Sequence, residues 1–441
     1  MDTLRLGYAR EDFSPDRTIR MNSARTATRV YQPVCVTGMS FRQGDTRVLV
    51  LNMDMRQPNG HFLVLVKPLV AEATGIPQEN IVFHTSHNHS YPDISCQDDP
   101  AVIDWRTRIG IPAIVRAAVA AVADEKPVTG MVGGDTVTQY INSVRRYQRA
   151  DGTWSGIATA NPSQAPIVAH ESVADPTLRA VRITREGGKD VILVHYQTHA
   201  ASALGQMKDA INADFVGPLR SKLEAEDDVL VAYMQGACGN CNYVTKIPEE
   251  KPFYIREFEK VGLALADYTV QALKNAKPLK LGKLQYRSGG LTCSVNHTKD
   301  HLAPQAIESG NEPDPDKRLE MMHAIGIDNR YERGAIIKRV DMPEYEQMEM
   351  AELAIGDLAF TFDPVELFDT CGKRLRNASP YKMTFNCSYS LNYRGYMPSY
   401  DCWPHGEYEV VMCHYLPGTG ESIVLYHLAQ LQNMKEAEKN G

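Results

Sequence analysis

Short runs of consecutive apolar residues dominate the first half of the chain. RVLVLNM (47–53), NIVFH (80–84) and VILVHY (191–196) have the length and aliphatic content of buried strands. IPAIVRAAVAAVAD (111–124), between the second and third, and EFEKVGLALADYTVQALKNA (257–276), after them, repeat apolar residues at helical spacing. Strands interleaved with amphipathic helices predict an α/β (layered α+β) fold, with mixed β-sheets flanked by helices. The pattern weakens from Thr298 to Asp341, a charged stretch containing DPDKR that reads as an inserted lid or a helical excursion (298–341). It resumes at MAELAIGDLAFTF from Met350, and residues 420–437 predict a closing helix. No repeat and no Gly/Pro/Ser-rich linker divides the chain, so residues 1–441 read as one large domain.

Composition narrows the partners. Hydrophobic residues make up 43% and charged residues 23%, which excludes a disordered chain. A net charge of −7 without any basic block argues against nucleic acid, because phosphate binding needs clustered Lys and Arg. The start, MDTLRLGYARED, lacks the apolar run of a signal peptide, and no stretch approaches the ~20 apolar residues of a membrane helix. Nine cysteines at irregular spacing argue against a disulfide framework. The expectation is a cytoplasmic protein, without membrane insertion, acting on a small molecule.

The histidines are grouped. His84, His87 and His89 fall in HTSHNHSYPD, directly after the apolar run NIVF. If that segment stays extended, His87 and His89 project to one side, as two imidazoles offered to one metal would. The bland alternative is a chance grouping of surface histidines. His199, in HYQTHAAS, again follows a strand; a lone histidine there is more often a hydrogen-bonded core residue than a ligand. His195, within the strand, reads as structural. Cys238 and Cys241 form a CxxC with no second pair at hand, and read as small pocket residues. The run from Met383 to Tyr396 is aromatic and polar, and reads as pocket wall. Trp105, Trp154 and Trp403 are further pocket candidates.

Taken in order, these and other blocks resemble the neutral/alkaline (non-lysosomal) ceramidases. HTSHNHSYPD is similar to that family's HTHSGP signature, with His87 and His89 on its two histidines. LGYAREDFSPD resembles its GxAxxDITPP opening, and VLVLNMDM its strand ending in SxDL. NSVRRYQRADGTW is similar to the NRRYxxxDGT run of short bacterial relatives. HYQTHAAS resembles the second histidine segment, AYMQGACGN the FxQGxxGD segment, and IGDLAFTFDPVELF the GDLxxxxxPGExF segment. RGYMPSYDCWPHGEYE resembles GYxxTxxxYxxxxYE, including the twelve-residue step from Tyr396 to Tyr408. LPGTGESIVLYHLAQL fits the family's end. The resemblance spans residues 4 to 432 apart from 298–341.

It implies one zinc ion (Zn2+) per chain, held by His87, His199, Glu366 and Tyr396. Imidazole, carboxylate and phenolate are ligands that zinc accepts, and a catalytic zinc keeps a position for water whose pKa it lowers. On the same resemblance His89 is the general acid or base, and Tyr408 with one of Arg145 or Arg146 stabilises the oxyanion. The doubled arginine leaves its register open, with Arg145 favoured.

The chain also departs from the pattern. Where the family's GDxSPN supplies a serine, this sequence reads GNCNY, and Asn242 takes the serine's place. An amide can donate a hydrogen bond to an oxyanion but has no labile hydroxyl proton. HNHSYPD lacks the Gly-Pro that follows HTHS, and the chain has no room for the C-terminal β-sandwich domain of full-length ceramidases. The reading is a zinc-dependent hydrolase of a small-molecule amide or ester other than ceramide. Its rivals are a zinc-dependent lyase or isomerase, moving a proton with His89 or Tyr408, and a non-catalytic metal-binding protein.

Overall fold

The computed structural model describes residues 2–22, 25–94, 96–156, 164–201 and 203–440. Its centre is a nine-stranded mixed sheet, and eight of its strands follow the order Val229–Gln235, Asp190–Tyr196, Thr177–Arg185, Lys126–Val137, Arg5–Asp12, Cys35–Gln43, Thr46–Met53, Ile81–Thr85. The short strand Lys277–Pro278 pairs beside Lys126–Val137. The outermost pair at each end is parallel and the interior pairs are antiparallel. The apolar runs read from the sequence fall on these strands within a residue or two.

Those runs are apolar throughout because both faces of the sheet are covered. Along Thr46–Met53, Val48 and Val50 join one core while Leu49, Leu51 and Met53 join another, as the two-residue side-chain period requires. The first face packs on a second, four-stranded sheet ordered Leu284–Ser294, Tyr345–Ile355, Leu358–Phe362, Met383–Cys387, through Leu353, Phe360 and Phe385. Helices Gly60–Thr74 and Ile111–Ala123 cover one half of the opposite face, and Val216–Glu226 and Phe258–Lys274 the other. Asp369–Ala378 and Thr419–Asn440 close the outer face of the second sheet. The layers run helix, sheet, sheet, helix. This is the expected mixed α/β architecture, with a large mixed sheet flanked by helices.

Two features place the site. The large sheet curls until its edge strands meet: the Gln235 N–H donates to His84 Nε2 at 3.0 Å, and the Asn52 amide donates to the Tyr233 carbonyl. The C-terminal ends of Ile81–Thr85, Asp190–Tyr196 and Val229–Gln235 therefore converge, and the loops leaving them share one space. The charged stretch 298–341 is the tip of a long hairpin whose strands pair from Leu284↔Ile355 to Ser294↔Tyr345. It is a helical excursion, Ala303–Ser309, Pro315–Ala324 and Arg330–Arg339, around a small core of Ala306, Met322, Ile327 and Ile336.

Candidate metal centre and its cavity

The strand Ile81–Thr85 ends before the histidine segment, and the chain does not stay extended. His87 takes a left-handed backbone with φ 55°, uncommon for a residue with a Cβ. Neighbouring hydrogen bonds enforce the turn. Asn88 N–H donates to Met55 O (3.1 Å), its side-chain amide to Asn212 O (2.7 Å), and His89 N–H to Ala200 O (3.0 Å). A bidentate ion pair of Asp54 with Arg220 (2.9 and 2.6 Å) anchors the segment that supplies the Met55 carbonyl. His87 and His89 still meet, with ring centroids 4.7 Å apart, but through a turn and not through the strand period.

The three histidines of the segment have different fates. His84 uses both nitrogens inside the protein: Nε2 accepts the Gln235 N–H, so Nδ1 carries the proton given to Ser390 Oγ at 2.8 Å. Burial pulls its pKa down to about 3. His84 is structural. His87 Nδ1 donates to the Arg56 carbonyl (2.7 Å) and His199 Nδ1 to the Cys238 carbonyl (3.1 Å), which turns both Nε2 atoms inward. There they lie 2.8 Å apart, with His89 Nε2 3.2 Å from His87 Nε2. Glu366 Oε2 sits 3.3 Å from His87 Nε2 and 3.8 Å from His199 Nε2.

This convergence is the decisive observation. His87, His199 and Glu366 are buried, and their inward atoms are all lone-pair donors. Burial, with His87 and Arg145 adding to it, depresses both His89 and His199 well below the usual imidazole range. Burial pushes the Glu366 carboxyl upward, but His87, the Tyr393 hydroxyl and Arg145 outweigh it and hold it below its usual range. Each of these residues turns an atom inward that can donate a lone pair. A cation accepting imidazole nitrogen and carboxylate oxygen suits the whole set. The ring nitrogens of His87, His89 and His199 lie within 4.8 Å of one another, and the group could hold a metal ion.

Glu366 and Tyr396 are brought side by side by two-residue parallel strands, Glu366–Leu367 and Tyr396–Met397. Gly239 lets its loop approach this ladder: a Cβ there would lie 2.2 Å from the Glu366 carbonyl oxygen. The structure separates the two arginines. Arg145 donates to Tyr396 Oη (2.9 Å) and pairs with Glu409 (2.9 Å). Arg146 has its donors on Glu171 (2.6 and 2.9 Å), Glu409 (3.2 Å) and the Gly406 carbonyl (3.0 Å), and reaches no histidine or tyrosine of the cluster. Both arginines share Glu409, but only Arg145 also reaches a tyrosine of the cluster. Tyr408 packs edge-on against Tyr396, with centroids 5.5 Å apart. Asn242 is buried, and its Oδ1 accepts the Tyr243 N–H at 2.8 Å.

A cavity of about 410 Å³ opens on this group, lined by His89, Glu366, Tyr396 and Tyr408 together with Arg56, Tyr393, Arg394, Lys338 of the inserted segment and Met342 just after it. The tryptophans do not line it: Trp105 donates to the Phe13 carbonyl, Trp154 stacks on His405, and Trp403 packs beside the core around Met397. Three site residues escaped the sequence reading. Tyr389 stacks on His87 (3.9 Å), Tyr393 donates to Glu366 Oε1 (2.5 Å), and Arg56 orients His87 through its carbonyl. The aromatic run 383–396 pointed to the two tyrosines collectively; nothing in the sequence pointed to Arg56.

No family model matches the chain, and no curated protein matches it by sequence. Solved structures do. The neutral ceramidase from Pseudomonas aeruginosa superposes with a TM-score of 0.72 at 15% identity, over 99% of this chain and 75% of that one. A ceramidase complexed with C2 gives 0.69 at 15% identity, over 99% and 76%. The fold is that of the neutral ceramidases. The ceramidase-like fold accounts for the helix–sheet–sheet–helix layering and for the loops that gather at the ends of the large sheet. No helix among the described residues is long and apolar enough to cross a membrane.

Proposed function

We propose that this protein is a zinc-dependent hydrolase cleaving an amide, or an ester, of a small molecule other than ceramide. The supporting observation is the convergence of His87 Nε2, His199 Nε2 and Glu366 Oε2 beside a cavity lined by His89 and Tyr408. Both solved ceramidases with this fold bear names of amide hydrolases, which suits the reading. His87, His199, Glu366 and Tyr396 would hold the zinc. When bound, it supplies Lewis acidity and water of lowered pKa.

The chain's own groups supply the remaining chemistry. His89 is half-buried and faces the cavity, where it takes a proton from the attacking water and returns it to the leaving nitrogen. Tyr408 donates to the oxygen on which negative charge develops, and Arg145 fixes Tyr396 and adds positive potential from behind. Asn242 does not line the cavity and its oxygen accepts the Tyr243 N–H, so its role as a second oxyanion donor, through its N–H groups, rests on the ceramidase resemblance alone. Asn242→Ala should then lower kcat by ~10²-fold, the scale of a lost oxyanion donor; undiminished turnover would remove Asn242 from the mechanism.

The test is to screen zinc-loaded protein against N-acyl amides and esters with mass detection of products. Hydrolysis that chelation abolishes and zinc restores is expected, with negligible cleavage of a standard ceramide. Turnover that survives chelation, or products of elimination or isomerisation, would overturn the proposal.

A further inference from the structure

The cavity wall carries more cationic groups than hydrolysis requires. Arg56, Lys338 and Arg394 all line it. Arg394 is answered by Glu346 at 3.5 Å, and Glu346 also accepts the Tyr415 hydroxyl at 2.5 Å. The Arg56 guanidinium and the Lys338 ammonium make no ion pair or hydrogen bond among the described residues. Lys338 is exposed at the inserted helix Arg330–Arg339, but Arg56 is half-buried and its Nε is closed off from solvent without an acceptor. Its donors meet no bonded carboxylate, while Glu366 and Asp93 nearby favour its charged form. The Arg56 main chain is held in place. Its carbonyl accepts from both His87 Nδ1 (2.7 Å) and Thr85 Oγ1 (3.1 Å), so its backbone is tied to the histidine turn. The protein holds an unanswered planar fork beside the group that would hold the metal.

We infer that the substrate carries a carboxylate, bound by the Arg56 guanidinium and attracted into the cavity by Lys338; this rests on the amide-hydrolase reading. A guanidinium offers two parallel N–H donors that match the two oxygens of a carboxylate. The substrate class is an N-acyl amino acid or a similar acidic amide, and the reaction frees a carboxylic acid and an amine. Both ends of such a molecule are small and polar, in keeping with a cavity of about 410 Å³ walled by charged and phenolic side chains.

The test compares N-acetyl and N-benzoyl amino acids with their carboxamides, which differ only in the anionic group, on zinc-loaded protein. Calorimetry should show the acids binding at least ~10-fold tighter, and Arg56→Gln should erase ~10²-fold of kcat/KM for an acidic amide, the scale of a lost charged hydrogen bond. Lys338→Met, at an exposed position that folding does not require, should weaken acid binding a few-fold and make it less sensitive to salt. A preference that survives both Arg56→Gln and Lys338→Met would overturn the inference, because the carboxylate would then be held by the metal alone. Equal affinity for acids and carboxamides would overturn it too, and so would tighter binding of phenyl phosphate than of N-benzoylglycine. An intact acid preference with no turnover would instead defeat the hydrolase reading and leave the anion site standing.

Discussion

Two buried histidine–carboxylate groups lie in this protein, and they are built on opposite principles. In the second sheet, His427 Nδ1 meets Glu352 Oε1 at 2.7 Å, a donor facing an acceptor from a helix to a strand. At the loop cluster, His87 Nε2 faces His199 Nε2 at 2.8 Å while Glu366 faces both, acceptor against acceptor. Burial and proximity are the same in each. The difference lies in where the second ring nitrogen is committed: backbone carbonyls take the Nδ1 protons of His87 and His199 and leave their lone pairs inward. What distinguishes a candidate metal centre from a core ion pair is the direction of the protons.

The largest expected effect tests that distinction directly. Elemental analysis of protein purified without added metal should give about one zinc per chain, and His87→Ala or Glu366→Ala should each lose most of it. His427→Ala should keep it. Zinc retained in both site variants, or lost in His427→Ala, would erase the contrast. Next, His89→Ala should keep the metal yet lower kcat by ~10²–10⁴-fold, the scale of a positioned proton-transfer group. If the metal leaves with the activity, His89 is a ligand and the cluster is a three-histidine site.

The core pair should answer in stability instead. Glu352 and His427 are both buried, so Glu352→Ala leaves an imidazole without its partner and should cost ~3–5 kcal/mol, read as a lower denaturation midpoint. The smallest effect concerns Asp363, close to that pair. Burial pushes its carboxyl up to about 7 against the opposing influence of His427. The native state therefore holds a proton that the unfolded chain gives up near the ordinary aspartate value of 3.8. Stability declines as pH rises through that window and stays lower above about 7. Asp363→Asn cannot ionise, so it should gain on the parent protein by about 1–3 kcal/mol between pH 5 and pH 8. A difference that does not change with pH would show that Asp363 ionises freely.

Most of the fold was legible. The runs at 47–53 and 191–196 are strands Thr46–Met53 and Asp190–Tyr196, and 111–124 is helix Ile111–Ala123. The helix read at 257–276 is Phe258–Lys274, and the one at 420–437 is Thr419–Asn440. Residues buried on two faces must be apolar throughout, and residues buried on one must follow the period of their element, so this part of the structure is written locally. The histidine segment was legible as chemistry but not as geometry: an extended HNH and the observed turn with φ 55° at His87 both bring the two rings together.

The amino-acid sequence by itself therefore determined the layered α/β class, the apolar elements and the residue types able to bind a metal, because each depends on neighbours a few positions away. The tertiary structure decided which of them meet. His199 meets His87 where the curled sheet brings strand ends 151 residues apart, at His84 and Gln235, into contact. Arg145 bonds Tyr396 while Arg146 bonds Glu171, a choice that depends on partners distant in the chain. Arg56, the residue that ties the cavity wall to the histidine turn, carries no local signal at all. Its role comes from a backbone carbonyl and an unanswered charge, and both exist only once the loops have closed around it.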